Sequence, residues 1–162
     1  MTTQPILLAE DNPDDAELMM SALGTAGITN RVYHVSNGQA AIDYFAGVGL
    51  YANRQEYPLP FLVLLDLKLP LVHGFDVLRW IRAQPNVRAI VIVLSASARE
   101  SDIATAHSLH ANAYVVKPSS LRELNALLQA IKTFWIEMNE WSSANVASVA
   151  ASSALLAPSA TR

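Results

Sequence analysis

The chain has 162 residues, with 11 Lys plus Arg, 14 Asp plus Glu and no cysteine, a length that suits one domain of ordinary size with a short appendage. With 52% hydrophobic and 15% charged residues, wholesale disorder is excluded, and a formal net charge of −3 argues against a general nucleic-acid binder. Without Cys there is no disulfide framework, no thiolate metal site and no cysteine nucleophile.

The start, Met-Thr-Thr-Gln-Pro, carries no basic n-region. The longest apolar run, Ala89 to Leu94, is far short of the ~20 residues that span a bilayer. The expectation is a soluble cytoplasmic protein with no membrane partner.

Ile6–Ala9 is the first short apolar run and predicts a strand. Asn12 is a good N-cap, Pro13 suits the first helical position, and Asp14 and Asp15 complement the helix dipole. A helix is therefore predicted from Pro13 to Ala26, closed by Gly27. Strand Val32–Val35 and helix Asn37–Ala46 follow. Gly47 to Pro60 reads as a long solvated surface loop, with partner binding as the minor alternative. Strand Phe61–Leu65, helix Gly74–Ala83, strand Ala89–Leu94, helix Arg99–His110 and strand Ala113–Val116 come next, and a last helix runs from Ser119 to about Trp141. Most strand runs are continuous rather than alternating, which means burial on both faces of a parallel sheet. The predicted fold is α/β, a doubly wound five-stranded parallel sheet of (βα)5, flavodoxin-like order.

In such a sheet the functional crevice lies beyond the carboxyl ends of the strands. Glu10 and Asp11 follow the first strand, Asp66 the third, Ser95 and Ala96 the fourth, and Lys117-Pro118 the fifth. Three carboxylates on one rim repel unless one is protonated or a cation intervenes. Oxygen ligands without His or Cys select a hard cation, best Mg²⁺. Mg²⁺ held this way recruits phosphate, Lys117 offers a point charge, Ser95 a donor, and Asp66 is a candidate nucleophile.

The set Glu10-Asp11, Leu-Leu-Asp66-Leu-Lys-Leu-Pro70, Gly74, Ser95-Ala96 and Tyr114-Val-Val-Lys117-Pro118 resembles the receiver domains of two-component response regulators. The chemotaxis-type single domain is their simplest member. The resemblance covers Ile6 to about Phe134. It implies that Asp66 accepts a phosphoryl group from a phosphohistidine on a sensor histidine kinase. It implies Mg²⁺ as cofactor, with Asp11 as direct ligand, Glu10 assisting, and the backbone carbonyl of Lys68 contributing beside Asp66. Lys117 is similar to the lysine that pairs with the phosphoryl group, and Ser95 and Tyr114 to the hydroxyl and aromatic switch pair. Pro118 is expected to follow a cis peptide bond. Lys68 and Ser97 occupy positions that, in the family, flank the phosphoryl site and tune its hydrolysis. The Glu-Asp-Asn-Pro-Asp-Asp start, the long Tyr-containing loop and the Phe134-Trp135 ending look most like single-domain regulators paired with bacterial phytochromes.

His34, His73, His107 and His110 read as surface residues, and Gly74 as a turn residue. In the last helix, Leu121, Leu124, Leu128, Ile131 and Trp135 form a stripe expected to pack on the sheet. Leu127, Phe134, Met138 and Trp141 form a second stripe, which points to an intermolecular surface, most simply a two-fold homodimer. Residues 1–141 thus make the receiver domain. The tail, 142–162, holds 6 Ser and 7 Ala; it reads as an arm packing on a neighbouring subunit, with a disordered extension as the alternative.

The expected function is a phosphoacceptor signalling protein, not an enzyme, with output through protein contacts. An interaction-only receiver and an aspartyl-phosphate phosphatase are the alternatives. The phosphatase needs a second acid two residues after the nucleophile, where this chain has Lys68.

Overall fold

The computed structural model describes residues 4–139. Trp141 and the tail from 142 to 162 lie outside them, so the arm is not tested. Strands β1 (Ile6–Ala9), β2 (Val32–Val35), β3 (Leu62–Leu65), β4 (Ile90–Ser95) and β5 (Ala113–Val116) form one parallel sheet in the order β2-β1-β3-β4-β5. Helices α1 (Pro13–Thr25), α2 (Gly38–Ala46), α3 (Gly74–Ala83), α4 (Glu100–Ser108) and α5 (Leu121–Ile131) follow the strands in turn.

The pleat explains why the strand runs are continuous. Successive side chains point to opposite faces, and both faces are covered. Ile6, Leu8, Leu62, Leu64, Ile92 and Leu94 pack with Ala16, Met19 and Leu23 of α1 and Leu124, Leu128 and Ile131 of α5. The alternate residues Leu7, Ala9, Val63, Leu65 and Val91 pack with Tyr44 and Phe45 of α2 and Val77, Leu78 and Ile81 of α3. A smaller cluster of Leu67, Val93 and Ala106 seats α4.

Local signals set the helix ends. The Asn12 side chain accepts from the N–H of Asp14 (2.9 Å) and of Asp15 (3.1 Å), with Pro13 first in the helix. At the other end Gly27, with φ +74°, donates to Gly24 O, and Ile28 donates to Leu23 O, which is the Schellman closure.

Four expectations need correction. The last helix is not one α-helix to Trp141: α5 ends at Ile131 and a π-helical segment covers Lys132–Met138. The wider turn changes the angular step between side chains, so Trp135 and Ile136 both pack on the first core cluster while Phe134 and Met138 stay exposed. Leu121, placed on the sheet-facing stripe, is exposed because it is the first residue of the helix. Leu127, placed on the outer stripe, is half-buried and touches the first core cluster.

The fourth correction concerns the long loop, which is packed rather than merely solvated. Tyr51 and Tyr57 join Tyr33 and Tyr44 in an aromatic cluster, with ring centroids 5.1 Å apart for Tyr44–Tyr51 and 5.3 Å for Tyr51–Tyr57. Tyr44 OH donates to Pro58 O at 2.9 Å, and Tyr33 OH donates to Glu56 O. The Arg54 guanidinium donates to Tyr44 O (2.6 Å), Tyr57 O (3.2 Å) and Phe45 O, so a cation closes the carbonyl end of α2.

Candidate functional site

Backbone bonds just past the strand ends align the rim. Glu10 N–H donates to Val35 O (3.0 Å), Asp66 N–H to Ala9 O (3.0 Å) and Lys117 N–H to Ser95 O (2.8 Å). Each residue following a strand is thereby held at a fixed height beside its neighbour. The sheet order then sets Glu10 beside Asp66, with Lys117 reaching across from β5.

The side chains meet as the strand-end reading requires. Lys117 Nζ donates to Glu10 Oε2 at 2.6 Å and to Asp66 Oδ2 at 2.8 Å. Glu10 and Asp66 are buried, whereas Asp11 is exposed. One carboxylate oxygen from each of Glu10, Asp11 and Asp66 lies within 4.8 Å of the other two. Glu10 Oε1 also accepts from Asn12 N–H (3.2 Å), and Asp66 Oδ1 from Lys68 N–H (3.2 Å). Burial pushes the Glu10 carboxyl above its usual range, opposed by Lys117. Burial pulls Lys117 down, but the bonds and charges of Asp66 and Glu10 outweigh it and hold its ammonium well above the ordinary lysine range.

This donor set fits a hard divalent cation. It supplies oxygen ligands only, it is partly desolvated, and its negative charge exceeds what one ammonium neutralises. Glu10, Asp11 and Asp66 are the side chains able to hold it.

The remaining residues lie around this core. Ser95 is fully buried, and its Oγ accepts from Ser97 N–H at 3.1 Å. Tyr114 is half-buried beside Leu67, Val93 and Ala106, and its OH donates to Ser97 O at 2.8 Å. Every described peptide bond is trans, so the cis bond expected before Pro118 is not present. Trans is favoured by roughly 0.5–1 kcal/mol even before proline, and Lys117 reaches both carboxylates without the switch.

Three contacts escaped the sequence reading. Asp15 Oδ2 lies 3.6 Å from Lys117 Nζ, although its place in the first turn of α1 was read only as a dipole effect. The exposed His34 ring bonds Glu10 O through Nε2 at 2.8 Å; its place on β2 next to β1 was the available signal. His73 is no bystander either: its Nδ1 accepts from Phe75 N–H (3.2 Å) and caps α3.

Fold and rim together define a phosphoryl-handling α/β domain with an acidic, cation-ready centre and a lysine across it. The chain belongs to the response regulator receiver family, whose domain model matches residues 6–129. It is a receiver module of two-component phosphorelay signalling. It is 40% identical over 135 residues to the probable methanogenesis regulatory protein FilR2 of Methanothrix harundinacea, covering 83% of this chain and 84% of that protein. It is 37% identical over 133 residues to response regulator Rcp1 of Synechocystis sp., covering 82% and 88%. The crystal structure of the Mn(2+)-bound form of Rcp1 superposes with a TM-score of 0.77 at 34% identity, covering 86% of this chain and 99% of that one. The phosphorylated cyanobacterial phytochrome response regulator RcpA superposes with a TM-score of 0.78 at 36% identity, covering 85% and 97%. Among the described residues no helix is long and apolar enough to cross a membrane.

Proposed function

We propose that Asp66 is the phosphoacceptor, taking its phosphoryl group from a phosphohistidine on a sensor histidine kinase in the cytoplasm. The observation that carries the reading is the buried Asp66 carboxylate, with Lys117 Nζ 2.8 Å away and the Glu10 and Asp11 oxygens beside it. An Asp66 oxygen attacks phosphorus, the P–N bond to the donor imidazole breaks, and the imidazole nitrogen leaves with that electron pair. Lys117 lies where negative charge spreads onto the phosphoryl oxygens of a loose transition state. Mg²⁺, when held by Glu10, Asp11, Asp66 and the Lys68 carbonyl, supplies further neutralisation of that charge. Ser95 and Tyr114 form the switch that reads the roughly −1.5 to −2 added charge. A phytochrome is the proposed kinase, because Rcp1 and the phytochrome response regulator RcpA are similar along most of this chain.

The test is incubation of wild type and Asp66→Asn with Mg²⁺ and a small phosphodonor. One acid-stable, base-labile phosphoryl group is expected on wild type and none on the variant. No label on wild type rejects the proposal, and turnover of unrelated phosphate esters favours the phosphatase. The exposed Lys68, an ammonium where that chemistry needs an acid, argues against the phosphatase.

Homodimerisation through the last helical segment is the second proposal. Its support is the exposure of two large apolar side chains there, Phe134 (58%) and Met138 (68%). Phe134→Asp is expected to halve the mass measured by light scattering; an unchanged mass removes the proposal.

A further inference from the structure

Ser97 sits in the turn between β4 and α4, and four of its bonds act at once. Its N–H donates to Ser95 Oγ (3.1 Å), and its carbonyl accepts from Tyr114 OH (2.8 Å). Its hydroxyl donates to Asp102 Oδ2 (2.5 Å) and accepts from Arg99 N–H (3.3 Å). Asp102 is the third residue of α4 and is half-buried. One residue thus joins the buried hydroxyl at the end of β4, the phenol of β5 and the first turn of α4.

We propose that Asp102 is a positioning residue for the phosphorylation switch. By holding the Ser97 hydroxyl it fixes the segment whose backbone holds both Ser95 Oγ and Tyr114 OH. The proposal rests on the reading of Asp66, Ser95 and Tyr114 given above, and it adds a residue that touches none of the reacting atoms.

The hydrogen bonds of Ser97 couple the buried Ser95 hydroxyl to the half-buried Tyr114 and Asp102. Ser95 Oγ already accepts a hydrogen bond, so swinging it onto a phosphoryl oxygen strips Ser97 N–H of its partner. An N–H that loses its acceptor is costly, so the Ser97 peptide follows Ser95. Moving that peptide takes the acceptor away from Tyr114 OH and pulls the Ser97 hydroxyl against Asp102. Asp102 therefore sets how readily the hydroxyl and the ring rearrange together. The bond is charge-assisted and short, which makes it the stiffest tie of the segment.

A carboxylate at this helical position also favours the helix N-terminus, as Glu100 does in the same turn. Glu100→Gln removes that benefit without touching Ser97 and is the control. The readout is fluorine NMR of fluorotyrosine-labelled full-length protein, with the Tyr114 resonance assigned by Tyr114→Phe, alongside the rate of phosphorylation by acetyl phosphate with Mg²⁺. In Asp102→Ala the Tyr114 resonance is expected to leave its wild-type position before any phosphorylation. The phosphorylation rate is expected to rise roughly fivefold, the shift one such hydrogen bond carries. Ser97→Ala is expected to do the same and to add nothing in the double variant. Asp102→Asn, whose amide oxygen still accepts the Ser97 hydroxyl, is expected to stay near wild type. The idea is overturned if Tyr114 keeps its wild-type resonance in Asp102→Ala and Ser97→Ala while only the thermal midpoint falls, as in Glu100→Gln. Should Asp102→Ala not fold, Ser97→Ala decides alone. A wild type that takes no phosphoryl group defeats the Asp66 reading, while the unphosphorylated Tyr114 comparison still decides the role of Asp102.

Discussion

Lys117→Met is expected to slow phosphorylation by a small phosphodonor at least about a hundredfold, the loss typical of removing one preorganised donor from a charge-stabilising site. The same variant is expected to destabilise the metal-free fold by about 2 kcal/mol, below the range for a fully buried broken pair because the lysine is partly solvated. Its side chain is 21% exposed, while the side chains of Glu10 and Asp66 are 7% and 8% exposed. The methionine fills the stem's volume but leaves two buried carboxylates facing each other without a cation. Added Mg²⁺ is expected to restore much of the stability and little of the rate, since a cation bound by the carboxylates does not replace a donor across the site. Thermal unfolding with and without Mg²⁺, read beside phosphorylation kinetics, separates the two effects. A variant as stable as wild type at neutral pH in chelator contradicts this account of the ion pairs.

The pH dependence has a definite sign. Burial pushes Glu10 above its ordinary range, so the folded state binds its proton more tightly than the unfolded chain. That group therefore favours folding in acid, and its contribution fades as pH rises through the folded pKa. Lys117 is also raised, by Asp66 and Glu10 against the pull of burial, so its contribution is present through acid and neutral pH and is lost only above the ordinary lysine range. In Lys117→Met the second contribution vanishes and Glu10 loses the partner that lowers it. The stability deficit is therefore expected to be largest at neutral pH and to shrink in mild acid.

These groups were legible because strand ends are legible. Ile6–Ala9, Leu62–Leu65 and Ala113–Val116 announce themselves as apolar runs, and the residue that follows each of these strands, the first, third and fifth, must lie on the rim. The loop before β3 was not legible for the opposite reason. Its Tyr51, Arg54 and Tyr57 carry no periodicity, and their partners are Tyr33, Tyr44 and the last carbonyls of α2, fixed only by tertiary packing. Asp15 and His34 behave alike: each meets the site through an element other than the one its sequence position advertises. The register change after Ile131 has no marker in the sequence, since no Pro or Gly occurs between Leu121 and Met138.

Gly74→Ala is expected to lower stability by about 2–3 kcal/mol, in the range of forced overpacking, and to weaken divalent cation binding at the same time. Gly74 was read as a turn residue, but its φ is not in the left-handed region, so torsional freedom is not the reason for it. The reason is space. A Cβ there would lie 2.4 Å from Asp66 O and 2.6 Å from Leu67 Cα, both backbone atoms that no side-chain rotation can remove. Neither side has room to yield: Gly74 N–H donates to Leu67 O at 2.8 Å, and Asp66 N–H is tied to Ala9 O at 3.0 Å. The extra methyl must push α3 away from the sheet or displace the Asp66 backbone from its place beside Glu10. Gly24 provides the contrast within the same fold. Nothing lies within 4 Å of its added Cβ, and Gly24→Ala in α1 is expected to stabilise by up to about 1 kcal/mol with cation binding unchanged. Thermal unfolding of the two variants, with a divalent cation titration of each, checks both signs. Equal behaviour of the two alanines would mean that the approach of α3 to the Asp66 backbone does not set the geometry of the site.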